Sequence, residues 1–436
     1  MRQVFSDRHR LQRMLDFEAA LARALVAIGI APSGASAAIE AQCRAELFDI
    51  EALARATALS GNVAIPMVKA LTELVANRDA QSAAFVHWGA TSQDAIDTGL
   101  VLQLREGLDL IDLDLASLSA SLTRLAAAHK STLMAGRTWL QQGPPVTFGL
   151  KVAGWLDGVD RHLERLNHAR NQVSALQFGG AVGTLAVLGD RGLELAAALA
   201  RELNLELPEL PWHAHRDRLA EVATSLGLLV GSLGKMARDI SLISQTEIDE
   251  VVEPSGSGRG GSSTMPHKRN PVSSAVILAA ALRVPGLVST ILTSMVQEHE
   301  RGLGGWHAEW ETLPEIFRLA GGALAHTKEV VAGLEVHPEK MLENVNRTRG
   351  LVLAEAVAFA LRERLGKEKS HKIVEEAARR AVQDGRDFGE ILLSYPDVRR
   401  HLSPAELSRL LDAANYLGSA VQMTDRVLFA RGGGKK

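Results

Sequence analysis

The chain has 436 residues, of which 46% are hydrophobic and 23% charged, a balance typical of a globular protein with a large core. Its formal net charge of −3 excludes a strongly basic nucleic-acid surface, and its single cysteine, Cys43, excludes an intrachain disulfide. We expect no membrane-spanning apolar run, no signal peptide and therefore a cytoplasmic protein without a nucleic-acid or membrane partner.

Residues 1–95 predict several short helices. Apolar residues from Leu11 to Ile28 follow helical spacing, and Gly29 ends that run. Pro66 is expected to open another helix. The segment closes with a polar loop, His87-Trp88-Gly89-Ala90-Thr91-Ser92-Gln93-Asp94.

Residues 96–340 predict long helices. Apolar residues step by three or four positions in runs that start at Leu108, Phe148 and Leu219. No proline falls between Pro211 and Pro254, so one uninterrupted helix of about 30 residues would run about 45 Å there. Further helices are expected after Pro271, with a kink at Pro285, and at 315–334. Long amphipathic helices of this kind pack as an antiparallel bundle.

Residues 341–436 return to shorter helices. One is predicted from Leu351 to Leu365 and another from Ser370 to Val382, with Ser370 as the N-cap. The glycine-rich tail at 432–436 is expected to be disordered. No alternating pattern with turn residues predicts a sheet. The sequence thus predicts an all-α protein of three helical domains, 1–95, 96–340 and 341–436, whose central domain is a long antiparallel bundle.

Three polar clusters interrupt the apolar pattern. They are His87 to Asp94, Gly136-Arg137-Thr138-Trp139-Leu140-Gln141-Gln142, and the run from Gly260 to Pro271. Each has an ordinary structural explanation, because Thr91 or Ser92 could cap a helix and Arg137 could form a surface ion pair. His213 and His215 are weak metal-ligand candidates, and we expect them to be a surface pair and the protein to bind no metal.

The third cluster reads Gly260-Gly261-Ser262-Ser263-Thr264-Met265-Pro266-His267-Lys268-Arg269-Asn270-Pro271. Its glycines can adopt positive φ, and Pro271 pushes Asn270 out of the helical region, so the run is a loop that ends where a helix can start. Hydroxyls, backbone N–H groups and Lys268 could surround a carboxylate and move a proton beside it. We expect residues 255–266 to form a mobile lid.

This run closely resembles the signature of the fumarase/aspartase superfamily, roughly G-S-S-x-M-P-x-K-x-N-P, and fills each of its fixed positions. The resemblance extends nearly end to end and is closest to the branch of adenylosuccinate lyases and 3-carboxy-cis,cis-muconate cycloisomerases. His-x-Gly-x-Thr-Ser-x-Asp at 87–94 resembles the first block of that branch. Gln297-Glu298-His299-Glu300-Arg301 resembles its His-Glu-Arg segment.

Two departures within the branch favour the cycloisomerases. The lyases carry a histidine after the Arg-Thr of the second block, where this chain has Trp139. They pair it with a glutamate just past the Asn-Pro, where this chain has Val272-Ser273-Ser274-Ala275 and no acid. An amine leaving group must be protonated, whereas the carboxylate leaving group of a lactone, with a pKa near ~4, needs no acid. Trp139 could then serve as a pocket wall.

The resemblance implies the lactonisation of 3-carboxy-cis,cis-muconate to carboxymuconolactone without a metal or organic cofactor. By superfamily analogy, Ser263 handles the α proton, with Ser262 less favoured, and Lys268 and Asn270 hold carboxylates. His87 is a candidate general acid or an orienting residue. The other residues expected to line the pocket are Thr91, Ser92, Arg137, Thr138, Trp139, Gln142, Met265 and Arg301. The resemblance further implies a homotetramer with shared active sites and a small polycarboxylate substrate.

Two other readings stay open. One is an adenylosuccinate-type lyase that releases fumarate, which the missing histidine disfavours. The other is a non-catalytic helical bundle, which the intact signature loop disfavours. The choice between a carboxylate and a sulfonate at position 3 of the muconate, and the stereochemistry of addition, also stay open.

Overall fold

The structure, a computed structural model, describes residues 1–254, 260–261, 265 and 268–432. Ser262 and Ser263, most of the predicted lid at 255–266, and tail residues 433–436 lie outside the described residues. The chain forms two compact units. The first comprises Met1–Leu115, His162–Gly231 and Ala279–Ala325, and the second comprises Ala116–Arg161, Ser232–Leu278 and His326–Lys436. The predicted domain boundaries at 95 and 340 stay a prediction.

Helices dominate the part of the chain that the structure describes, and the predicted all-α class is confirmed. The N-terminal helices are α1 (Asp7–Ala27), α2 (Ala35–Glu40), α3 (Ile50–Ser60), α4 (Ala64–Ala76) and α5 (Ala80–Ala83). The long helices and the shorter α8 are α6 (Ser92–Ala128), α7 (Phe148–Val173), α8 (Gly192–Leu203), α9 (Asp217–Ile243), α10 (Val272–Ser294) and α11 (Gly305–Gly333). The C-terminal helices are α12 (Pro338–Asn346), α13 (Ala354–Leu365), α14 (Lys367–Asp384), α15 (Phe388–Leu393), α16 (Pro396–His401), α17 (Pro404–Leu410) and α18 (Ala420–Gly432).

Local sequence signals explain several helix ends. Ser6 caps α1, since its side chain accepts a hydrogen bond from the backbone N–H of His9 at 3.3 Å. Gly29, at a φ of 76°, follows the end of α1, as expected. Helix α9 has 27 residues, close to the predicted length. Helix α10 starts directly after Pro271, whereas α11 begins at Gly305, before the predicted start at 315.

The predicted N-cap at Ser370 is wrong. Helix α14 begins at Lys367, and Gly366 occupies the N-cap position with a φ of 78°. Ser370 is buried inside the helix, where its hydroxyl donates to the carbonyl of Lys367 at 2.9 Å. The chain can turn at Gly366 without strain, so the helix starts without a capping hydroxyl.

The expectation that the chain contains no sheet is also wrong in one place that matters for the site. Strands β1 (Leu133–Thr138) and β2 (Gln141–Thr147) form an antiparallel hairpin, with an irregularity between Ala135 and Arg137. A second pair joins β3 (Val251–Val252) to β4 (Glu335–Val336). The sequence pattern did not predict this hairpin, because its turn lacks glycine and because β2 contains two prolines, which normally argue against a strand.

Each unit has its own apolar core. In the first unit, fully buried residues of α1 and α4, among them Leu15, Met67 and Leu71, belong to one apolar cluster. In the second unit, helices α13 to α17 enclose a cluster that includes Val357, Phe388 and others.

Helices α9 and α10 are long and apolar enough to cross a membrane by length and composition, contrary to the expectation from the sequence. Core helices of soluble proteins can be as long and as apolar, and 61% of the most apolar 18-residue stretch of α9 is buried. Only 22% of the corresponding stretch of α10 is buried. Its exposed apolar side chains include Val276, Leu282 and Leu292. A face of this kind usually marks an interaction surface.

Candidate active site

In the first unit, His87 is held by a carboxylate that the sequence reasoning missed. Its Nδ1 lies 2.6 Å from Glu18 Oε1, and its backbone N–H donates to Glu18 Oε2 at 3.1 Å. The Glu18 side chain, on α1, is completely buried. Burial disfavours the imidazolium, but the charge and hydrogen bond of Glu18, together with the charge of Asp94, outweigh it and raise the pKa of His87.

Thr91 and Arg301, which are 210 positions apart, meet in this unit. Arg301 Nη1 donates to Thr91 Oγ1 at 2.9 Å, and its Nε donates to Gln93 Oε1 at 3.1 Å. Gln93 in turn donates to Asp97 Oδ2 at 3.0 Å. Ser92 is the first residue of α6 and is half-buried. The structure therefore joins two of the predicted blocks through a side-chain contact.

Asp94 organises the start of α6. Its carboxylate accepts hydrogen bonds from the backbone N–H groups of Thr91 at 2.9 Å and of Gly179 and Gly180 at 3.0 Å. The bond to Thr91 resembles one half of a capping box. His213 Nε2 lies 2.8 Å from Asp94 Oδ1. The prediction of a surface histidine pair is therefore wrong for His213, which is 3% exposed because it fills this buried network.

A buried ionic triad lies next along α6. Arg216 donates to Asp97 Oδ2 at 2.7 Å and to Glu309 Oε2 at 2.6 Å, and all three side chains are 1% exposed. Trp306 Nε1 adds a hydrogen bond to Asp97 at 3.0 Å. Burial raises the pKa of Glu309, although Arg216 opposes that shift. The triad connects to Arg301 through Gln93, which donates to Asp97 and accepts from that arginine.

In the second unit, Arg137 forms a bidentate pair with Glu250. The distances are 2.9 Å from Nη1 to Oε2 and 2.6 Å from Nη2 to Oε1. The Glu250 side chain is completely buried and also accepts from Asn344 Nδ2 at 3.0 Å. Arg137 is therefore more than a surface ion pair. Its positive charge is already neutralised, which weakens its suitability as a substrate-binding cation.

Trp139 and Leu140 form the two-residue turn of the hairpin, at φ values of 53° and 65°. Turns with two positive φ values normally contain Asn-Gly, and bulky residues there cost about 1–2 kcal/mol each. Trp139 is 97% exposed, so it forms no pocket wall with the residues of its own chain that the structure describes. Near the turn, Thr138 is exposed, and Gln142 has a buried Oε1 that finds no hydrogen-bond partner among the described residues.

The hairpin also borders an open cavity of about 700 Å³ between α7 and α9. Its lining includes Arg137, Thr138, Lys151, Trp155 and Asp239. Trp155 Nε1 donates to Asp239 at 2.9 Å. Burial lowers the pKa of Lys151, while the charge of Asp239 opposes the shift. Two predicted site residues thus face a cavity that contains further cationic side chains.

The described ends of the signature loop meet at a narrow neck. The backbone N–H and the side-chain amide of Asn270 both donate to the carbonyl of Gly260, at 2.9 and 3.2 Å. A Cβ at Gly260, whose φ is 67°, would lie 2.9 Å from the Asn270 carbonyl. Asn270 therefore closes the loop, while Lys268 and Met265 are exposed. The predicted proton-transfer serine, Ser263, lies outside the described residues.

An acidic residue does lie at the start of α10, although residues 272–275 contain none. Glu253 accepts from the backbone N–H groups of Ser273 at 3.0 Å and Ser274 at 2.8 Å. The Ser274 hydroxyl donates to the same carboxylate at 2.6 Å. Glu253 is 6% exposed and serves as a cap for the helix. Sequence reasoning missed it because it lies 20 positions before Ser273.

Among the described residues, no group of three or more histidine, cysteine, aspartate or glutamate side chains is arranged to hold a metal ion. In the first unit, the candidate residues include the hydrogen-bonded Thr91 and Arg301 and the His87–Glu18 pair, and in the second unit Arg137 pairs with Glu250. Such a set suits the binding of carboxylates.

Comparison with known proteins places the chain in a family. A family model described as "Lyase" matches residues 1–286, and one described as "Adenylosuccinate lyase C-terminus" matches residues 350–427. The chain belongs to this lyase family, the fumarase/aspartase superfamily that the signature loop resembles, and it is an enzyme of that family.

Particular relatives are similar over nearly the whole chain. The 3-carboxy-cis,cis-muconate cycloisomerase of Pseudomonas aeruginosa is 58% identical, covering 98% of this chain and 93% of the relative. The protein of the same name from Bradyrhizobium diazoefficiens is 51% identical, covering 98% and 95%. The crystal structure of 3-carboxy-cis,cis-muconate lactonizing enzyme from Pseudomonas putida matches with a TM-score of 0.95 at 53% identity, covering 99% and 96%.

Proposed function

We propose that this enzyme is a cycloisomerase that lactonises 3-carboxy-cis,cis-muconate to carboxymuconolactone, a step in the degradation of aromatic acids through protocatechuate. The single observation that carries the proposal is the 58% identity, across 98% of this chain, to a relative named for that reaction. Trp139 in place of a general-acid histidine supports it, because the leaving group of the reverse reaction is a carboxylate that needs no proton.

Lactonisation forms one C–O bond and one C–H bond. A substrate carboxylate attacks the carbon β to a second carboxylate, and the electrons of the double bond move toward the α carbon and that carboxylate. The resulting anion takes a proton at the α carbon, and the proton is replaced from water. The enzyme must therefore stabilise growing negative charge on a carboxylate and deliver one proton.

The loop residues carry those two tasks in our proposal. Ser263 delivers the α proton, with Ser262 as the second candidate, and Lys268 with loop N–H groups stabilises the anion. The exposed position of Lys268 supports its availability to a ligand. Asn270 contributes by closing the loop neck on Gly260, besides any contact with a carboxylate. No metal or organic cofactor takes part.

The remaining carboxylates of this tri-anionic substrate require other donors. We assign them to His87, Thr91 and Arg301, which the structure holds in place through hydrogen bonds to Glu18, Gln93 and one another. Ser92, Gln142 and Met265 are lining residues. Arg137 has its charge compensated by Glu250, so its part is to stiffen the hairpin that carries Thr138 and Trp139.

We further propose a homotetramer in which more than one chain contributes to each active site. Only 22% of the most apolar 18-residue stretch of α10 is buried, which supports an assembly that covers this helix. The exposed Trp139, on a turn with two positive φ values, supports insertion of the hairpin tip against another chain, where the ring would form the expected wall. The single, buried thiol of Cys43 fits a cytoplasmic location.

Light scattering tests the assembly. At micromolar protein we expect a mass four times the 46.8 kDa of one chain. As an interface control, Leu282→Lys, on the exposed face of α10, should lower the mass, because it places a charge on an apolar surface. A monomeric mass together with full activity would contradict shared active sites.

Product analysis tests the reaction itself. Purified enzyme is incubated with 3-carboxy-cis,cis-muconate in a buffer with a metal chelator, and the products are identified by NMR. We expect carboxymuconolactone. A parallel incubation with adenylosuccinate should release no fumarate. Fumarate release without lactone formation would instead establish the adenylosuccinate-type lyase, which the match to its C-terminal family model keeps in view.

The Trp139→His variant tests the absence of a general acid. We expect it to lactonise no faster than the wild type and to be slower, because the smaller, polar imidazole replaces the large indole ring at the hairpin tip. It should not become a lyase, because residues 272–275 still provide no glutamate. Trp139→Phe is the control that keeps an apolar aromatic ring and provides no acid. Markedly faster lactonisation by Trp139→His would show that protonation at this position limits the wild-type reaction.

A further inference from the structure

Glu18 is a charged residue within an apolar stretch of α1. It lies on α1 between Phe17 and Ala19, and its side chain is completely buried. A carboxylate in such surroundings is costly unless its oxygens accept hydrogen bonds. Within the part of the chain that the structure describes, Glu18 has two hydrogen bonds, and both involve His87, one from the backbone N–H and one at Nδ1. The carboxylate is therefore dedicated to a single residue in the candidate site.

The hydrogen bond at Nδ1 defines the chemistry of the ring. A carboxylate accepts and does not donate, so Nδ1 carries a proton and Nε2 is the nitrogen left for other partners. The His87 side chain is 16% exposed, so the ring is only partly covered. The ring can therefore present Nε2 to a ligand, either as a base or, when the imidazole is charged, as a donor.

The backbone at His87 is strained. Its φ is 57°, in the left-handed region that non-glycine residues seldom adopt. The bond from its N–H to Glu18 Oε2 helps to hold that conformation. Strain of this kind is maintained where the surroundings fix a residue for function. Glu18 thus fixes both the backbone and the ring.

We propose that Glu18 is a positioning residue of the reaction, which holds His87 with its proton on Nδ1 and stabilises its imidazolium so that Nε2–H binds a carboxylate of the substrate. The identity of the substrate in this inference rests on the proposed function. The protonation state of His87 does not depend on it. An imidazolium of this kind supplies one of the cations that a tri-anionic ligand requires.

The charged groups that act on the ring come from two helices. Glu18 faces it from α1 and Asp94 from α6, and both favour the imidazolium against the effect of burial. The pKa of His87 is consequently above its ordinary value of 6.5. The imidazolium charge is present at pH values below that raised pKa and is lost as the pH rises through it. Substrate binding through His87 should weaken over the same range.

The Glu18→Gln variant tests this role through the pH dependence of kcat/KM. Glutamine keeps the size and a hydrogen-bond acceptor but removes the charge. We expect the alkaline limb of the profile to move to lower pH by about one unit, which corresponds to about tenfold lower kcat/KM on that limb. The loss should lie mainly in KM, because the imidazolium binds the substrate before and during the reaction.

Glu106→Gln is the matched control. Glu106 Oε2 lies 2.7 Å from His9 Nε2, so the chain contains a second histidine–glutamate pair between α1 and α6, formed by residues outside the candidate site. Its replacement should leave the alkaline limb in place. A Glu18→Gln enzyme with a wild-type profile and an unchanged unfolding midpoint would overturn the proposal.

A direct titration separates this inference from the proposed function. NMR of histidine labelled with ¹³C at Cε1 and ¹⁵N in the ring follows His87, whose signals are identified by their absence in His87→Asn. In the wild type we expect a proton on Nδ1 and a pKa above 6.5, with a lower pKa in Glu18→Gln. A wild-type pKa at or below 6.5, or a proton on Nε2 alone in the neutral ring, would overturn the role of Glu18 even if Glu18→Gln failed to fold. If the wild type does not convert the muconate, the proposed function fails and the titration still decides the state of His87.

Discussion

Replacement of Ser263 by alanine is expected to lower kcat by about 10²–10⁴-fold with little change in KM. The proposed proton donor acts in the chemical step, and positioned acids and bases contribute rate factors of this size. The substrate carboxylates keep their other ligands, so binding should change little. Steady-state kinetics with 3-carboxy-cis,cis-muconate provide the measurement.

Two variants in the same loop sharpen that experiment. Ser262→Ala removes the neighbouring hydroxyl and should have a much smaller effect on kcat. Lys268→Met should lower kcat and also raise KM, because Lys268 binds an anion whose charge grows toward the transition state. Near-normal kcat in Ser263→Ala, with an unchanged unfolding midpoint, would contradict the serine assignment and direct attention to His87.

The second large effect concerns stability. Arg216→Met should destabilise the protein by about 3–5 kcal/mol, because it leaves the carboxylates of two buried residues, Asp97 and Glu309, without their cation. The midpoint of denaturant unfolding measures this loss. Burial already raises the pKa of Glu309, so the variant should recover part of its stability as the pH falls and that carboxyl group is protonated.

Arg23→Met is the matched control for the triad. Arg23 also pairs with two carboxylates, Glu40 at 2.8 Å and Glu202 at 2.6 Å, but its side chain is 33% exposed. Pairs of that kind contribute about 0–1 kcal/mol. The triple variant Arg216→Met, Asp97→Asn, Glu309→Gln removes the buried charges together and should be more stable than Arg216→Met alone. Equal midpoints for Arg216→Met and Arg23→Met would contradict the proposed importance of the buried triad.

Helix periodicity made most of the fold predictable, and local exceptions mark where it failed. The spacing after Leu219 predicted α9 almost to its observed length. The sequence did not predict the hairpin because Trp139 and Leu140 occupy its two turn positions. These positions have positive φ values, and an Asn-Gly pair there would normally indicate such a turn. Ser370 was misread as a cap because Gly366, four positions earlier, starts the helix instead.

The sequence predicted the polar blocks of the candidate site but not the residues that hold them in place. The blocks around His87, Thr91 and Arg301 stand out in the sequence, and the structure brings the last two together. The residues that hold them come from distant positions, as with His213, which is 119 positions from Asp94. Local periodicity contains no information on such pairs. Glu18, placed within the apolar run of α1, was an available sequence signal of a buried carboxylate.

The ultraviolet absorbance of the substrate tests the central claim most directly. The two conjugated double bonds of 3-carboxy-cis,cis-muconate give an absorption band that lactonisation removes, because one double bond is consumed. Purified enzyme is mixed with this substrate in the presence of a metal chelator, and Ser263→Ala serves as the matched control. We predict that the wild type removes the band at a rate proportional to enzyme concentration. An unchanged band with folded wild-type enzyme would contradict the assignment as a 3-carboxy-cis,cis-muconate cycloisomerase.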